Sequence, residues 1–418
     1  MTEVNRLAFP LSFPIFYSLE LTPACNNLCP GCGNVFANDR TPRPLASAEW
    51  ETVLAKLKPH ASRLKITGGE PTLHPEFETI VESIRKLDIP FTLFTNARWP
   101  EPQRLLTFFE NMPQFGGFLI SLHGATSYAH EAFTGVPGSF KETVTNIRQA
   151  VTAGLSVTTS TVITKQNYNR VNQIVALSKE LSANHAVFNR YLGQRLPDIE
   201  PTNEELKEAI QAIERLHAAG YPIKFGNCIP QCFYPSSSTG CLAGVAYCTV
   251  DPWGNVRPCN HASLTCGNLL EQSLEEVWNS SEMERWRGMI PAQCVECAAL
   301  SQCHGGCRAM MMELGLEKDP LADRPVVEPA ASSAEELVLY EGAYPLGHYS
   351  MRSEPFGYVL VRGDRVVPIM AEAWEVLEAL DGQSTLRQIK ARFGEIGLAF
   401  VGALYAKGMV ELLSEAVQ

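Results

Sequence analysis

Short apolar runs alternate with amphipathic stretches over residues 15–225. The apolar runs are rich in Ile, Leu, Phe, Val and Thr, which is typical of strands buried in a parallel sheet. The amphipathic stretches predict helices that cover the faces of that sheet. The predicted strands are 15–21, 63–69, 91–96, 117–122, 156–163 and 185–190, and the predicted helices are 48–57, 77–87, 140–153 and 169–181. This repeated βα pattern predicts an α/β fold built as an open or closed barrel.

The pattern changes twice further along the chain. After a predicted helix at 203–219, residues 226–310 show little periodicity and contain ten of the thirteen cysteines. A stretch at 324–333 is rich in Pro, Ala and Ser and indicates a linker. Periodicity then returns around Gly363-Asp364, a two-residue hairpin signal. The elements predicted here are strands at 358–362 and 365–370, helices at 371–380, 385–393 and 399–407, and a strand at 409–412.

Three domains follow from these patterns. Residues 1–225 are predicted to form a partial (βα)6 TIM-like barrel, and residues 226–323 a cysteine-rich domain. Since the cysteine-rich segment cannot bury much apolar surface alone, metal ligation is expected to stabilise it. Residues 336–418 combine a small sheet with three helices, which predicts a winged-helix-like domain.

Composition and charge narrow the class of protein. The chain has 418 residues, 45% hydrophobic and 19% charged, as in globular proteins of more than one domain. Its net charge of -11 disfavours nucleic acid or an anionic membrane as partner. The apolar N-terminal stretch is interrupted by prolines and Glu20, and neither a signal peptide nor a membrane span is predicted. We therefore expect a cytoplasmic protein, in which thirteen cysteines favour metal or redox chemistry over disulfides.

Three cysteines follow the first predicted strand directly. Cys25, Cys29 and Cys32 have the spacing Cys-x3-Cys-x2-Cys. Such a loop can place three thiolates on three irons of a 4Fe–4S cluster, which leaves the fourth iron open to a small molecule. The alternative is a zinc site, but structural zinc sites are normally closed by a fourth protein ligand, and none is placed locally.

At these residues the chain resembles the radical S-adenosylmethionine (SAM) superfamily, whose hallmark is this spacing after the first barrel strand. The resemblance implies that SAM chelates the open iron and is cleaved by an incoming electron to a 5′-deoxyadenosyl radical, which abstracts a substrate hydrogen. Gly68-Gly69-Glu70 follows the second strand and resembles the motif that holds the SAM amino group. Further SAM contacts are implied at the ends or faces of later strands, namely at Thr95, Asn96, Ser121, and Thr159 or Ser160.

A second cysteine array lies downstream. It reads Cys294-x2-Cys297-x5-Cys303-x3-Cys307, and it is preceded by Cys241, Cys248 and Cys259, with Gly254 five positions before the last of these. The spacing resembles the SPASM extension of peptide-modifying radical SAM enzymes, which carries two auxiliary 4Fe–4S clusters. The resemblance assigns the first auxiliary cluster to Cys241, Cys248, Cys259 and Cys307, and the second to Cys294, Cys297 and Cys303.

The chain departs from this pattern after Cys307, where the family's further cysteine is absent. The second auxiliary cluster then has an open iron, is closed by a carboxylate such as Asp319 or Asp323, or is incomplete, so one or two auxiliary clusters are expected. Zinc bound by this array is the alternative.

Three cysteines remain outside these assignments, and two histidines lie beside the motifs. Cys228, Cys232 and Cys266 are interpreted as buried apolar side chains, substitute ligands, or thiols that donate hydrogen to a substrate radical, with the first interpretation favoured. His123 and His304 are expected to be structural or to support the ligands.

The pattern that begins at Gly357 resembles the small peptide-chaperone domain of the pyrroloquinoline quinone pathway. The resemblance implies that a leader peptide is added as a strand to a sheet edge, beside a helix groove. A DNA-binding winged helix is the alternative. From residue 336 to 418 there are seven Lys or Arg and eleven Asp or Glu, a net charge of -4, which disfavours DNA.

These features together predict a radical SAM oxidoreductase that matures a ribosomally made precursor peptide with a leader. A crosslink or a backbone excision of the splicease kind is the predicted outcome, because auxiliary clusters can accept the electron left by a net oxidation. Alternatives are sulfatase-maturase-like formylglycine formation, peptide epimerisation or, in another class, an iron–sulfur redox sensor. Expected further partners are an electron donor of the flavodoxin or ferredoxin type and an accessory peptide-binding protein.

Overall fold

The computed structural model describes residues 10–237, 240–327, 340–363 and 365–417. The chain divides into two compact units, Met1–Pro329 and Ala330–Gln418. None of the helices within the described ranges is both long and apolar enough to cross a membrane.

The first unit is built on one ten-stranded sheet with the order β10-β9-β8-β1-β2-β3-β4-β5-β6-β7. Neighbouring strands from β1 to β7 are parallel, and β8 also runs parallel to β1. The strands are β1 (Phe16–Glu20), β2 (Arg63–Thr67), β3 (Phe91–Thr95), β4 (Phe115–Ser121), β5 (Val157–Val162), β6 (His185–Asn189), β7 (Ile223–Phe225), β8 (Tyr247–Val250), β9 (Asn255–Arg257) and β10 (Gly267–Asn268).

The predicted partial α/β barrel is confirmed, and each of the six predicted strands is present. The structure adds β7 and joins the cysteine-rich segment to the same sheet through β8, so the two parts share one layer. The helices of this unit are α1 (Ser47–Leu57), α2 (Phe77–Arg85), α3 (Pro102–Glu110), α4 (Ser127–Thr134), α5 (Ser139–Thr152), α6 (Val171–Glu180), α7 (Asn203–Ala218), α8 (Leu274–Trp278), α9 (Ser281–Arg287), α10 (Leu300–Cys303) and α11 (Arg308–Leu314).

Strand alternation gives the sheet an apolar face and a polar face. On β1, Tyr17 and Leu19 are buried in the main apolar core, together with side chains of α1 such as Trp50. Ser18 and Glu20 lie on the opposite face of the same strand, since successive side chains point to opposite sides. That second face is the interior of the partial barrel, where the candidate site lies.

The second unit has a three-stranded antiparallel sheet in the order β12-β13-β14 and a separate two-stranded sheet, β11-β15. The predicted hairpin is present, with Arg362 paired to Arg365, although Asp364 itself lies outside the described residues. The predicted helices at 385–393 and 399–407 form one helical element broken at Gly394, whose φ is 69°. The elements are β11 (Tyr344–Gly347), β12 (Ser350–Glu354), β13 (Gly357–Arg362), β14 (Arg365–Met370), α12 (Trp374–Glu378), α13 (Leu386–Ala406) and β15 (Val410–Leu413).

Candidate iron–sulfur and cofactor site

The loop that follows β1 carries Cys25, Cys29 and Cys32 as half-buried, unbridged thiols. The Sγ atom of Cys25 accepts hydrogen bonds from the backbone N–H of Asn27 at 3.4 Å and from Asn96 Nδ2 at 3.8 Å. Since Asn96 directly follows β3, this bond ties the cysteine loop to the carboxyl end of the third strand.

The charge balance in this loop favours a bound cation. Burial, together with the nearby thiols of Cys32 and Cys25, raises the pKa of Cys29 to about 12. Burial also raises the pKa of Cys25. Arg40 opposes both shifts and donates to the backbone O of Cys25 at 3.3 Å. One guanidinium cannot neutralise three neighbouring thiolates, whereas coordination to iron deprotonates thiols directly. The donor set therefore fits an iron–sulfur cluster.

Gly68 and Gly69 pack against the backbone just before this loop. Gly69 N donates to Thr22 O at 2.8 Å, and Glu70 N donates to Ala24 O at 2.7 Å. Gly68 has a φ of +148°, and a Cβ there would lie 2.6 Å from Thr22 O. A Cβ on Gly69 would collide with the carbonyl of Ala24. The two glycines are therefore required for the close approach of the β2 end to the cysteine loop.

The Glu70 carboxylate is fully buried and already hydrogen-bonded. It accepts from Thr72 Oγ1 at 2.7 Å, from Thr95 Oγ1 at 2.9 Å and from Asn96 N at 2.8 Å. Burial raises the pKa of this carboxyl, and the hydrogen bonds oppose the shift. Glu70 thus holds the ends of β2 and β3 together, and it places Asn96 beside Cys25.

Side chains alternate between the two faces of β5, and this distinguishes Thr159 from Ser160, which the sequence left as alternatives. Ser160 lies in register with Ser121 and accepts a hydrogen bond from Asn189 Nδ2 at 3.0 Å. Thr159 is fully buried on the other face of β5, where its hydroxyl lies 2.9 Å from that of Ser178 on α6. Thr159 is therefore not available to a ligand inside the barrel, and the expectation that named it is corrected in favour of Ser160.

A buried polar network on the inner face was not recognised from the sequence as part of the site. Glu20 forms an ion pair with Arg257 of β9 while both side chains are almost completely buried. Asn260 Nδ2 donates to Glu20 Oε1 at 2.7 Å, and Lys65 Nζ donates to Asn260 Oδ1 at 3.3 Å. Burial raises the pKa of Glu20 and lowers that of Lys65 to about 8. The available signal was a carboxylate, Glu20, in a predicted strand whose other residues are uncharged.

One of the cysteines assigned to the first auxiliary cluster lies apart from the other three. Cys259 lies within electrostatic reach of Cys307 and Cys241. Cys248, in contrast, is fully buried on β8 and has Cys266 and Arg287 as its charged or titratable neighbours. The assignment of Cys248 to the first auxiliary cluster is therefore corrected, because strand alternation turns its side chain away from the other three thiols.

Burial and neighbouring residues also decide which of the three remaining thiols could donate hydrogen to a substrate radical. Cys266 is only 4% exposed and packs in the main core beside Cys248, which gives a substrate no access to it. Cys228 and Cys232 lie among the cysteines of the second array rather than apart from them.

Asp319 does not close a cluster, contrary to one alternative from the sequence. Its two oxygens bind Arg190 in a bidentate pair at 2.8 and 2.9 Å, with both side chains buried. The same oxygens accept the backbone N–H groups of Cys307 at 2.6 Å and Leu321 at 2.9 Å. The carboxylate is thus fully engaged in holding the array against β6.

Replacement of Asp319 by alanine is expected to destabilise the protein by about 3–5 kcal/mol, because it leaves the Arg190 charge buried and unpaired. Glu180→Ala is the matched control, since its ion pair with Arg148 is largely exposed and such pairs contribute about 0–1 kcal/mol. Denaturant unfolding under anaerobic conditions measures both. Equal unfolding midpoints for the two variants would contradict the structural role of Asp319.

The ring of each histidine beside the motifs, His123 and His304, contacts a backbone polar group, which agrees with a structural role. Burial lowers the pKa of His123 to about 3, and its Nδ1 accepts the backbone N–H of Val162 at 3.3 Å. His304 has a φ of 59°, and its Nδ1 lies 2.8 Å from the backbone O of Cys241.

The arrangement of side chains differs from that of a mononuclear zinc site. Within the described ranges, no group of three or more His, Cys, Asp or Glu side chains is arranged to hold a single metal ion. A structural zinc ion needs four ligands around one point. In a 4Fe–4S cluster each thiolate binds a separate iron, so the sulfurs surround a larger cage.

Comparison with known proteins agrees with this chemistry. The profile described as the radical SAM superfamily matches residues 19–177, and that of the SPASM iron–sulfur cluster-binding domain matches residues 241–307. The chain is 26% identical over 318 residues to the PqqA peptide cyclase of Gluconobacter oxydans, which covers 72% of this chain and 87% of the relative. It is 27% identical over 338 residues to the mycofactocin maturase MftC of Mycolicibacterium smegmatis, covering 76% of this chain and 83% of the relative.

A solved structure shows the same fold. The structure of Streptococcus suis SuiB bound to the precursor peptide SuiA has a TM-score of 0.65 and 19% identity, and the match covers 75% of this chain and 76% of SuiB.

Proposed function

The chain belongs to the radical SAM superfamily and carries a SPASM iron–sulfur domain, and we propose that its substrate is a ribosomally made precursor peptide. As a member of this family it is an enzyme that binds SAM and 4Fe–4S clusters. The observation that carries the proposal is the similarity to a peptide cyclase across both the barrel and the cysteine-rich domain.

The residues around the first cysteine loop have different roles in binding the cofactor. Cys25, Cys29 and Cys32 hold the cluster, and Gly68-Gly69 lets the end of β2 approach the loop closely. Glu70 acts as a positioning residue, while Asn96, Ser121 and Ser160 present polar groups that suit SAM. When bound, SAM and its cluster supply the radical that takes a hydrogen atom from the substrate.

The inner face of the sheet offers a polar surface for a peptide. The buried Glu20–Arg257 pair fixes Asn260 and Lys65 in place, so these side chains need little reorganisation to bind a substrate. Lys65 holds a proton at Nζ at pH 7, because its lowered pKa of about 8 still lies above that pH. We assign this network to substrate orientation.

The second unit is proposed to bind the leader of the precursor. Its three-stranded sheet has two edge strands, β12 and β14, and an extended peptide can add to such an edge through backbone hydrogen bonds. Pro368 lies in β14, where edge position tolerates a residue without an N–H. Leader binding would raise the effective concentration of the attached core peptide at the barrel.

Hydrogen–deuterium exchange of the full chain, with and without a synthetic leader peptide, tests this assignment. Slower amide exchange is expected within 344–370, the segment that contains the edge strands, because new backbone hydrogen bonds protect amides. Helix α7 of the first unit serves as the internal control and is expected to remain unchanged. Leader-dependent protection confined to the first unit would contradict the proposal.

For the product, we propose a crosslink or a backbone excision. A crosslink between two C–H positions is a net oxidation, and the auxiliary clusters of a SPASM domain can accept the surplus electron. Formylglycine formation is distinguished by its confinement to one Cys or Ser, and epimerisation by a change of stereochemistry without a change of mass. The similarity to two enzymes, a peptide cyclase and a maturase, disfavours the redox-sensor alternative. A flavodoxin- or ferredoxin-type electron donor and an accessory peptide-binding protein complete the proposed set of partners.

A further inference from the structure

The cysteine-rich domain is one thiol short at each of its two cluster sites. Once Cys248 is excluded, Cys241, Cys259 and Cys307 remain at the first site, and Cys294, Cys297 and Cys303 at the second. A 4Fe–4S cluster closed by protein has four thiolates. We propose that Cys228 and Cys232 supply the missing ligands, Cys228 to the first auxiliary cluster and Cys232 to the second. This inference rests on the SPASM domain and does not depend on the peptide substrate.

Cys228 lies directly among the thiols of the first site. Its side chain is 7% exposed, and its thiol is within hydrogen-bonding reach of those of Cys241 and Cys307. The guanidinium of Arg308 also lies close to the thiol of Cys241. Several thiols close together, with a positive charge beside them to balance thiolate charge, form an environment suited to iron ligation.

Cys232 lies at the second site together with the three cysteines of the array. All four side chains line one pocket. The thiols of Cys303 and Cys297 lie within electrostatic reach of that of Cys232. Four cysteines around one partly enclosed pocket form the donor set of a closed cluster.

Backbone N–H groups point at the sulfurs of this pocket. Asp323 N donates to Cys232 Sγ at 3.3 Å, and Val326 N donates to Cys297 Sγ at 3.3 Å. Hydrogen bonds to cluster sulfurs stabilise the thiolate charge and tune the reduction potential. Cys232 therefore has the same kind of support as an array cysteine. Cys303 receives such bonds from the backbone of Gln231, Gly305 and Gly306.

The segment from Cys228 to Cys232 is fixed at several points between the two sites. Ser237 Oγ donates to Ile229 O at 2.7 Å, and Gln231 Nε2 donates to Gln302 Oε1 at 3.0 Å. The three residues between the two cysteines would therefore join the auxiliary clusters through one short, anchored piece of backbone. A second cluster closed by Cys232 has no open iron for a substrate, which gives it a role in electron transfer.

Cluster content and spectra of defined variants test the proposal. In a C25A/C29A/C32A background only the auxiliary clusters remain, and about eight irons per chain are expected after anaerobic reconstitution. Adding C232S is expected to remove or alter the electron paramagnetic resonance signal of one reduced cluster, with a loss of up to about four irons. Adding C228S is expected to affect the other signal. C266S and D323N are the matched controls and are expected to change neither.

A C232S protein with the iron content and the spectrum of the C266S control would overturn the assignment of Cys232, and the same result for C228S would overturn that of Cys228. Thiol alkylation of the unsubstituted, cluster-loaded protein gives a second measurement that needs no folded variant. Cys232 is expected to be protected in the loaded protein and to react after the clusters are removed with a chelator and oxidant. Equal alkylation of Cys232 in both states would also overturn its assignment.

Discussion

Replacement of Cys29 by alanine is expected to lower the rate of SAM cleavage by at least about 100-fold, which corresponds to about 2.7 kcal/mol. Cys29 is the central ligand of the first loop, and burial together with two neighbouring thiols makes its free thiolate unfavourable without iron. The variant should lose about four of about twelve irons per chain, since each cluster holds four. The release of 5′-deoxyadenosine by anaerobic, reconstituted protein with reductant measures the effect.

The control for this variant is Cys266→Ala, which removes a buried thiol from the core beside Cys248. It is expected to keep both the iron content and the rate of SAM cleavage. If Cys29→Ala cleaves SAM at the rate of this control, the assignment of the first loop to the SAM-binding cluster is wrong.

Replacement of Gly69 by alanine is expected to have an effect of similar size without removing any ligand. A Cβ at this position collides with the carbonyl of Ala24, so the end of β2 must move away from the cysteine loop. The hydrogen bond from Glu70 N to Ala24 O is then lost, and Glu70 no longer positions Asn96 beside Cys25. We expect at least about a 100-fold loss of SAM cleavage, again about 2.7 kcal/mol, while the auxiliary clusters remain.

Gly288→Ala provides the matched control for this substitution. A Cβ there meets its nearest atom, Glu284 O, at 3.5 Å, which is an ordinary contact. The control should therefore cleave SAM at the unsubstituted rate. Normal SAM cleavage by Gly69→Ala would show that the close approach of β2 to the loop is not required.

The sequence predicted the barrel well because its signal is local. Each predicted strand is a short apolar run, and periods of two and of about 3.6 residues are set by neighbouring residues alone. The capping box of α7 is an example, since Thr202 and Glu205 satisfy each other's backbone N–H groups three positions apart. The β8 pairing with β1 could not be predicted in this way, because Tyr247 and Phe16 are far apart in sequence.

The cluster ligands show that the spacing of cysteines along the sequence is not enough to identify which of them share a cluster. Cys248 has a position in sequence that suits the SPASM pattern, but it lies on a strand, and alternation turns it towards Cys266. Cys232 has no suitable spacing to the array, yet a long-range contact brings it into the same pocket. Thr159 and Ser160 differ in the same way, since one residue along β5 reverses the face of the sheet.

The most direct test of the central claim is mass spectrometry of short peptides encoded beside this gene, each incubated anaerobically with the reconstituted full chain, SAM and reductant. The account predicts peptide-dependent 5′-deoxyadenosine and a modified peptide, with loss of a hydrogen pair for a crosslink and chain shortening for an excision. Formylglycine formation would be distinguished by its confinement to one Cys or Ser, with sulfur lost when it starts from Cys. Cys29→Ala should give neither product. A precursor that is left without any mass or stereochemical change, while 5′-deoxyadenosine forms at the same rate with and without peptide, would contradict the claim.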